Sequence, residues 1–198
     1  MANVKTPVGL ISYPVLFGNG KLNSLNGKNE YSVDILFPKN TDLSVIKAEI
    51  DKAIEAKWGS KAPKGLRNPI KDGDGTKQNG EPYAPEYKGH YFVTLKNTRR
   101  PGVMSADGVT PITDEGEIYG GCYGRAIFNA FAYDQPANKG VSLSLIHFQK
   151  AKDGEPFGAS RIAIDDAFDA IDSEEADNPA NYEQPVAAAP KKRSSILG

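Results

Sequence analysis

A basic, aromatic stretch from residue 57 to residue 100 holds the side chains of this chain that are best suited to binding chemistry. It carries ten Lys or Arg residues against four acids, which gives it a local charge of +6. Aromatic residues are interspersed among the cations: Trp58, Tyr83, Tyr87, Tyr91 and Phe92. Cations neutralise phosphates and flat rings stack on unpaired bases, so the pattern is typical of sequence-tolerant binding to a nucleic-acid single strand. A solvated, lysine-rich loop beside an ordinary strand is the alternative that composition leaves open.

Individual binding candidates follow from residue type and from strand alternation. Tyr91 shares its parity with Val93 and Leu95, so we assign its ring to the core, while Phe92 and Lys96 belong to the opposite face. The side chains expected to contact phosphates are Lys57, Lys61, Lys64, Arg67, Lys96, Arg99, Arg100 and Arg125. Those expected to stack on bases are Trp58, Tyr83, Tyr87, Phe92 and Tyr123.

Reactive groups for catalysis are scarce. Cys122 is the single cysteine and His90 and His147 are the two histidines, so no zinc-ligand spacing is present. Asp72 and Asp74 have the spacing of the first two ligands of a calcium-binding loop, but the Glu that supplies the last ligand is missing. We therefore expect no enzyme and no cofactor, with a metal-dependent nuclease as the weaker alternative. A non-enzymatic β-barrel with a basic surface that binds a protein partner or sits in a virion stays open as well.

Charge is distributed unevenly along the chain. The formal net charge of −1 conceals a basic body and eight acids between residues 165 and 183, where no Lys or Arg occurs. This asymmetry is typical of nucleic-acid-binding proteins. A single cysteine and the lack of an apolar leader or membrane-spanning run predict a protein of the reducing cytoplasm, with no membrane association.

The elements that must position these residues are mostly strands. Alternation predicts strands over 8–17, 31–37, 89–100, 117–133 and 141–148, with a short addition at 161–164. An apolar stripe from Leu43 to Ile54 predicts one helix ending at Gly59, and the Pro- and Gly-rich segment 59–89 predicts a long basic loop. The fold expected is a mostly β, OB-fold-like barrel of five to six strands with one main helix, over residues 1–164. Residues 165–198 are expected to form a disordered acidic tail with a short basic end.

Four segments carry a family resemblance: VKTPVGLISYPVLF, YSVDILFPK, HYFVTLKNTRRPGV and EIYGGCYGRAIFNAFAYDQPANKGVSLSL. Together they resemble the phage single-stranded DNA-binding protein family, an OB-fold family of tailed bacteriophages, over about Val4 to Ala167. The resemblance implies sequence-independent coating of single-stranded DNA in replication, recombination and repair, inside the infected bacterial host. It implies no catalysis.

The resemblance also implies a role for the acidic tail, since such tails commonly recruit phage or host polymerases and other replication proteins. The terminal PKKRSSILG departs from a tail that ends in acids and an aromatic residue. A homodimer is left open. The tail residues expected to bind a partner are Asp165, Asp166, Phe168, Asp169, Asp172, Glu174, Glu175 and Asp177.

Overall fold

The computed structural model describes residues 4–158 apart from residues 25 and 137, all within a compact unit that spans Met1–Gly158. The expected strand at 161–164, the tail and the domain boundary at residue 164 lie outside the described residues and stay predictions. Within the described part, the protein is mostly β with one α-helix, as expected.

Nine strands and one α-helix form the described part of the chain. The strands are β1 (Val4–Lys5), β2 (Gly9–Val15), β3 (Lys21–Asn23), β4 (Lys28–Pro38), β5 (Ile70–Asp72), β6 (His90–Asn97), β7 (Gly102–Met104), β8 (Tyr123–Gln135) and β9 (Asn138–Lys152). The helix α1 spans Ser44–Trp58. Short 3₁₀ turns lie at Gly59–Lys61, Pro85–Tyr87 and Glu115–Glu117.

Five long strands close into a ring in the order β2, β4, β6, β9 and β8. Neighbours in the ring are antiparallel except β6 and β9, which pair in parallel, and β8 returns to β2. The short strands β1, β3, β5 and β7 pair with members of the ring. The expected OB-fold-like barrel is confirmed, and its ring contains the lower of the two strand numbers predicted.

Strand alternation fills the interior of the ring with apolar side chains. Val33 and Ile35 of β4 pair with Leu95 and Val93 of the neighbouring strand β6, and all four are fully buried. Tyr91 packs partly buried against this core, as its parity predicts. Period-two patterning therefore identified the inner face of the main strands.

Helix α1 closes one end of the barrel. Leu43, Ile46 and Ile50 are buried in the main core, which confirms the predicted apolar stripe. Gly59 follows the last helical turn with a φ of 55°, a conformation that glycine adopts without steric cost, so the helix ends where expected. Along the chain, the helix follows β4, the second strand of the ring, and precedes β6, the third. No helix within the described ranges is long and apolar enough to cross a membrane.

Strand β2 departs from the expected alternation at Tyr13. The register with β4 shifts between Ser12 and Val15, and Tyr13 takes a φ of 44°. The Tyr13 ring is 65% exposed, whereas Ile11, which shares its parity, is fully buried. Pro14 cannot donate a ladder hydrogen bond, which favours a bulge here. The chain regains the core at Leu16.

The plug role of α1 predicts a stability effect at one position. Ile46→Ala removes a fully buried side chain from the core and should lower the free energy of unfolding by about 2–5 kcal/mol. Val45→Ala on the exposed side of the same helical turn is the matched control and should change it by less than about 0.5 kcal/mol. Urea denaturation of the two variants measures both values, and equal losses would contradict the plug role.

Candidate nucleic-acid interface

A surface groove of about 690 Å³ lies between the outer face of the barrel wall and the loop that follows α1. Four cations line it, and none of its lining residues is acidic. The cations are Arg67, Lys71, Lys77 and Lys96, and the other lining residues are Asn68, Pro69, Gln78, Asn79, Tyr83, Thr94, Tyr133 and Ser142. A concave surface with charge of a single sign concentrates an electrostatic field, so this groove attracts anions.

The loop wall of the groove is fixed to the β8–β9 hairpin by backbone hydrogen bonds. The Arg67 amide donates to the Lys139 carbonyl at 3.0 Å, and the Val141 amide donates to the Arg67 carbonyl at 3.1 Å. Gly140 lies opposite Arg67, where a Cβ would come within 2.7 Å of the Arg67 backbone. With the Gln78 amide turned so that its oxygen faces the Arg67 guanidinium, the orientation that satisfies both groups, Nη1 donates to this oxygen at 3.0 Å and Nη2 at 2.7 Å. Both ends of the Arg67 residue are thereby held in place.

The barrel wall of the groove is the outer face of β6 and β9. Lys96 lies in register with Ser32 of β4 and Ser144 of β9, at the centre of this face. A second depression of about 400 Å³, lined by Lys21 and Glu30 among others, shares Lys96 with the groove. The Lys71 ammonium lies 5.3 Å from the centre of the Phe92 ring. Loss of surrounding water lowers the pKa of Lys71, and the nearby Asp34 opposes that shift.

Two of the predicted stacking residues form a buried layer beneath the groove region. Phe92 is 2% exposed and Tyr87 is 3% exposed, and together with Leu36 they form a second apolar cluster outside the barrel. Phe92 meets Tyr83 edge-on at 4.9 Å and Tyr87 at 4.7 Å between ring centres. Phe92 and Tyr87 were expected to stack on bases, but the Pro85–Tyr87 turn folds over the outer face of the strands and buries both rings. Their stacking on bases stays an untested prediction. Tyr83 lies above this layer, partly exposed, and lines the groove.

A hydrogen bond to a partly buried carboxylate holds the covering turn down. The Tyr87 hydroxyl donates to Asp34 Oδ2 at 2.7 Å. Burial raises the pKa of Asp34, while the hydrogen bonds from Tyr87 and Thr94 act in the opposite direction. Burial next to Asp34 raises the pKa of Tyr87, so the phenol stays protonated as a donor. The pair ties the loop to the outer face of β4.

Sequence reasoning missed four residues of this region. Tyr13 stacks on Tyr87 with ring centres 6.5 Å apart and an interplanar angle of 27°, and its other surroundings are open. The Tyr-Pro pair at a bulge was its only sequence signal. Tyr133 of β8 also lines the groove. Lys71 and Lys77 belong to the basic stretch, but nothing in their spacing set them apart from its other cations.

Several predicted phosphate contacts do not line the groove. Lys57, Lys61 and Lys64 are exposed along the end of α1 and the following turn. Arg99 is exposed after β6, and the Arg100 guanidinium lies 5.9 Å from the centre of the Phe17 ring. The structure therefore brings only Arg67 and Lys96 of the eight predicted phosphate contacts into the groove lining.

Trp58 has a structural contact. Its Nε1 donates to Asp134 Oδ2 at 3.1 Å, and Lys139 pairs with the same carboxylate at 2.9 Å. These contacts lower the pKa of Asp134, with the Lys139 hydrogen bond as the larger cause. The indole joins the end of α1 to the tip of the β8–β9 hairpin, and its predicted stacking on bases stays untested.

Tyr123 and Arg125 lie at a different part of the surface. Arg125 lines a separate cleft of about 320 Å³ and donates from Nε to Gln149 Oε1 at 2.9 Å. The Lys152 ammonium lies 4.6 Å from the centre of the Tyr123 ring. The two residues are thus not brought together with Arg67 and Lys96 in one groove.

The acidic pair near residue 72 forms a salt-bridged turn. Lys39 Nζ lies 2.9 Å from Asp72 Oδ1 and 2.6 Å from Asp74 Oδ2, which lowers the pKa of both carboxyl groups. Among residues 4–158, less the two undescribed positions, no three His, Cys, Asp or Glu side chains gather in a way that could hold a metal ion. Cys122 is buried, and burial raises the pKa of its thiol.

Comparison with known proteins identifies one family. The family model described as Enterobacter phage Enc34, ssDNA-binding protein, matches residues 2–179. Protein p50 of Acyrthosiphon pisum secondary endosymbiont phage 1 is 32% identical, over 80% of this chain and 88% of the relative.

Solved structures agree with the family match. The Enc34 single-stranded DNA-binding protein in complex with single-stranded DNA is 28% identical with a TM-score of 0.60, covering 78% of this chain and 88% of that one. Another solved structure of the Enc34 protein gives 29% identity and a TM-score of 0.57, covering 83% of this chain and 89% of that one. Bacteriophage T7 gp2.5 is 16% identical with a TM-score of 0.51, over 80% and 96% of the chains, which shows a shared fold alone.

The Asp34–Tyr87 contact predicts a pH-dependent stability effect. Tyr87→Phe leaves the carboxylate without this donor and should cost about 1–3 kcal/mol of unfolding free energy near pH 7. The pKa of Asp34 is already raised, and losing the donor raises it further. The loss should therefore shrink as the pH falls from about 7 toward about 4 and Asp34 becomes protonated in the folded state.

Urea denaturation across this pH range measures the effect. Tyr83→Phe is the matched control, since the Tyr83 hydroxyl makes no hydrogen bond within the described part of the chain. A loss in Tyr87→Phe that stays constant with pH would count against the coupling between the two groups.

Proposed function

This chain belongs to the family of the Enterobacter phage Enc34 single-stranded DNA-binding protein, and from that premise we propose that it binds single-stranded DNA without reading its sequence. It coats and protects exposed strands during phage DNA replication, recombination and repair, in the cytoplasm of the infected bacterium. The observation that carries the proposal is the groove with four cations, Tyr83 and Tyr133 in its lining and no lining acid.

The groove chemistry suits a phosphate backbone. Arg67 presents a planar fork of donors that matches phosphate oxygens, and its position is fixed through the backbone and Gln78. Lys96 adds a positive charge on the barrel wall, and Lys77 adds another from the loop, where Glu81 lies 3.8 Å from its ammonium group. Each phosphate contact releases counterions, so the affinity should fall steeply as the salt concentration rises.

The groove chemistry also suits unpaired bases of any sequence. Tyr83 stacks on Tyr87 with ring centres 5.7 Å apart and meets Phe92 in a T-shaped contact at 4.9 Å, so its ring is held in place for a base to stack on it. Apart from Pro69, the remaining lining residues carry hydroxyl or amide groups, which both donate and accept. Stacking requires an accessible base face, which a duplex hides, and this favours single strands over double strands.

Cations outside the groove contribute to the field around it. Exposed charges steer anionic ligands, so we propose that five exposed cations attract single-stranded DNA at long range. They are Lys57, Lys61, Lys64, Arg99 and Arg100. No catalytic step and no cofactor are needed for this function, and we propose a non-enzymatic role. A metal-dependent cleavage assay on single strands tests the nuclease alternative.

The acidic residues between 165 and 177 are proposed to bind a phage or host polymerase or another replication protein. Their clustered charge, with Phe168 in its midst, suits a basic partner surface with an apolar contact point. The association state, including a homodimer, stays a prediction that analytical ultracentrifugation tests.

The groove predicts distinct effects for stacking and phosphate contacts. Tyr83→Ala should reduce the affinity for a labelled oligo-dT of about 30 nucleotides by roughly 1–3 kcal/mol with an unchanged salt dependence. Lys96→Gln should instead reduce the slope of log K against log salt by about 0.7, since one phosphate contact is lost. Fluorescence anisotropy across a salt series measures both.

Two comparisons complete this experiment. Lys52→Gln on the exposed face of α1 is the cation control and should leave the slope unchanged. A duplex of equal length should bind much more weakly than the single strand. Equal or negligible binding of both nucleic acids would favour the protein-interaction or virion module.

The tail predicts a separable effect on partner binding. Replacing Asp165, Asp166, Asp169 and Asp172 with Asn in the full chain should abolish capture of the replicative polymerase while the groove still binds oligo-dT. Pull-down with purified polymerase and anisotropy on the same preparation measure the two activities. Unchanged capture by the substituted chain would remove the tail from this role.

A further inference from the structure

The outer face of the β8–β9 ribbon connects the groove with the second cleft. Tyr133 and Ser142 line the groove, whereas Arg125, His147 and Gln149 line the cleft. Strand pairing places them along one ladder. The pairs run, in order, Tyr133 with Gly140, Phe131 with Ser142, Asn129 with Ser144, Ile127 with His147 and Arg125 with Gln149.

Phe131 is placed at the margin of the groove. Its ring is 49% exposed, and its cross-strand neighbour Ser142 lines the groove. It shares the outward parity of Tyr133, two residues along β8. Between Tyr133 and Arg125 the side chains of β8 on this parity are uncharged, so no acid repels a phosphate backbone along the ribbon.

The far end of the ribbon has a positively charged cleft. Arg125 and Lys5 both line it. The Arg125 guanidinium is held by the amide of Gln149, which itself donates to the carbonyls of Ser105 and Ala106 at 3.0 and 3.2 Å. Because its partner is an amide and not a carboxylate, the charge of Arg125 is not neutralised and can pair with an anion.

The acid in this cleft, Asp107, is directed toward its own loop. Its carboxylate accepts hydrogen bonds from Ser105 Oγ and Thr110 Oγ1 and from the Val109 and Thr110 amides. These bonds lower the pKa of Asp107, with the Ser105 bond as the largest cause. Its oxygens are thus already satisfied by the loop, which weakens its repulsion of a bound anion.

We propose that single-stranded DNA leaving the groove continues along the outer face of the β8–β9 ribbon, with a base on Phe131 and a phosphate held by Arg125 and Lys5. This path rests on the proposed function of the groove. Eight residues of β8 separate Tyr133 from Arg125, which is about 27 Å at the usual strand rise. At the 3.4 Å spacing of stacked bases this length takes at most about eight nucleotides, within the range of OB-fold site sizes.

The test uses the full chain and an oligo-dT series from about 4 to about 20 nucleotides, measured by fluorescence anisotropy. On the shortest oligonucleotides bound by the groove, Phe131→Ala and Arg125→Gln should match the wild type. On the longest, Phe131→Ala should lower the affinity by about fivefold to a hundredfold. Arg125→Gln should reduce the salt slope by about 0.7 on long oligonucleotides only.

Matched controls separate this path from general effects. Val45→Ala and Lys47→Gln, both exposed on α1, should behave as the wild type at every length. Phe131→Trp keeps a stacking ring and should restore the affinity for long oligonucleotides.

Two outcomes would overturn the path in different ways. If the wild type fails to bind even long single strands, the proposed function fails and the path fails with it. If short oligonucleotides bind but the two variants equal the wild type at all lengths, or weaken binding equally at all lengths, the groove stands and the path along the ribbon is rejected.

Discussion

The hydrogen bond from Tyr87 to Asp34 is the contact on which the binding surface depends. A carboxylate on the outer face of a barrel strand normally meets water, but here a turn of the long loop covers it and must supply a donor. Once this turn is in place, Phe92 is buried beneath it, and Tyr83 stacks on Tyr87 and meets Phe92 in a T-shaped contact. The position of the exposed aromatic ring in the groove thus follows from one polar contact several residues away.

The barrel and its helix could be predicted from the sequence because their signals are local and periodic. Alternation in β4 and β6 identified the inner face, and the stripe on α1 identified the plug. The closed ring of strands was expected because the fold predicted from the sequence was an OB-fold-like barrel. Tyr13 broke the pattern because a bulge before Pro14 reverses the parity of the strand, and alternation alone carries no information on such a shift.

The candidate site was only partly predictable, for a reason of topology. Residue type identified the ten cations of the basic stretch, but only the folded loop decides which of them share a concave surface. Arg67 reaches the groove because its backbone pairs with the β8–β9 hairpin, a contact about seventy residues away in the chain. Phe92 was correctly placed on the outward face, yet a loop that covers this face cannot be inferred from strand parity.

The two apolar clusters on either side of the β4–β6 pair have a consequence for local unfolding. Since the backbone layer of the sheet separates the outer cluster of Leu36, Tyr87 and Phe92 from the barrel interior, the covering turn can detach while the interior remains packed. We therefore expect the native state to contain two cooperative units of different stability. Amide hydrogens of the turn should exchange with solvent when the turn alone detaches. Those of β4 and β6 should exchange only when the barrel itself unfolds. Single-stranded DNA bound against Tyr83 would slow amide exchange in the covering turn and leave the exchange rates of the barrel unchanged.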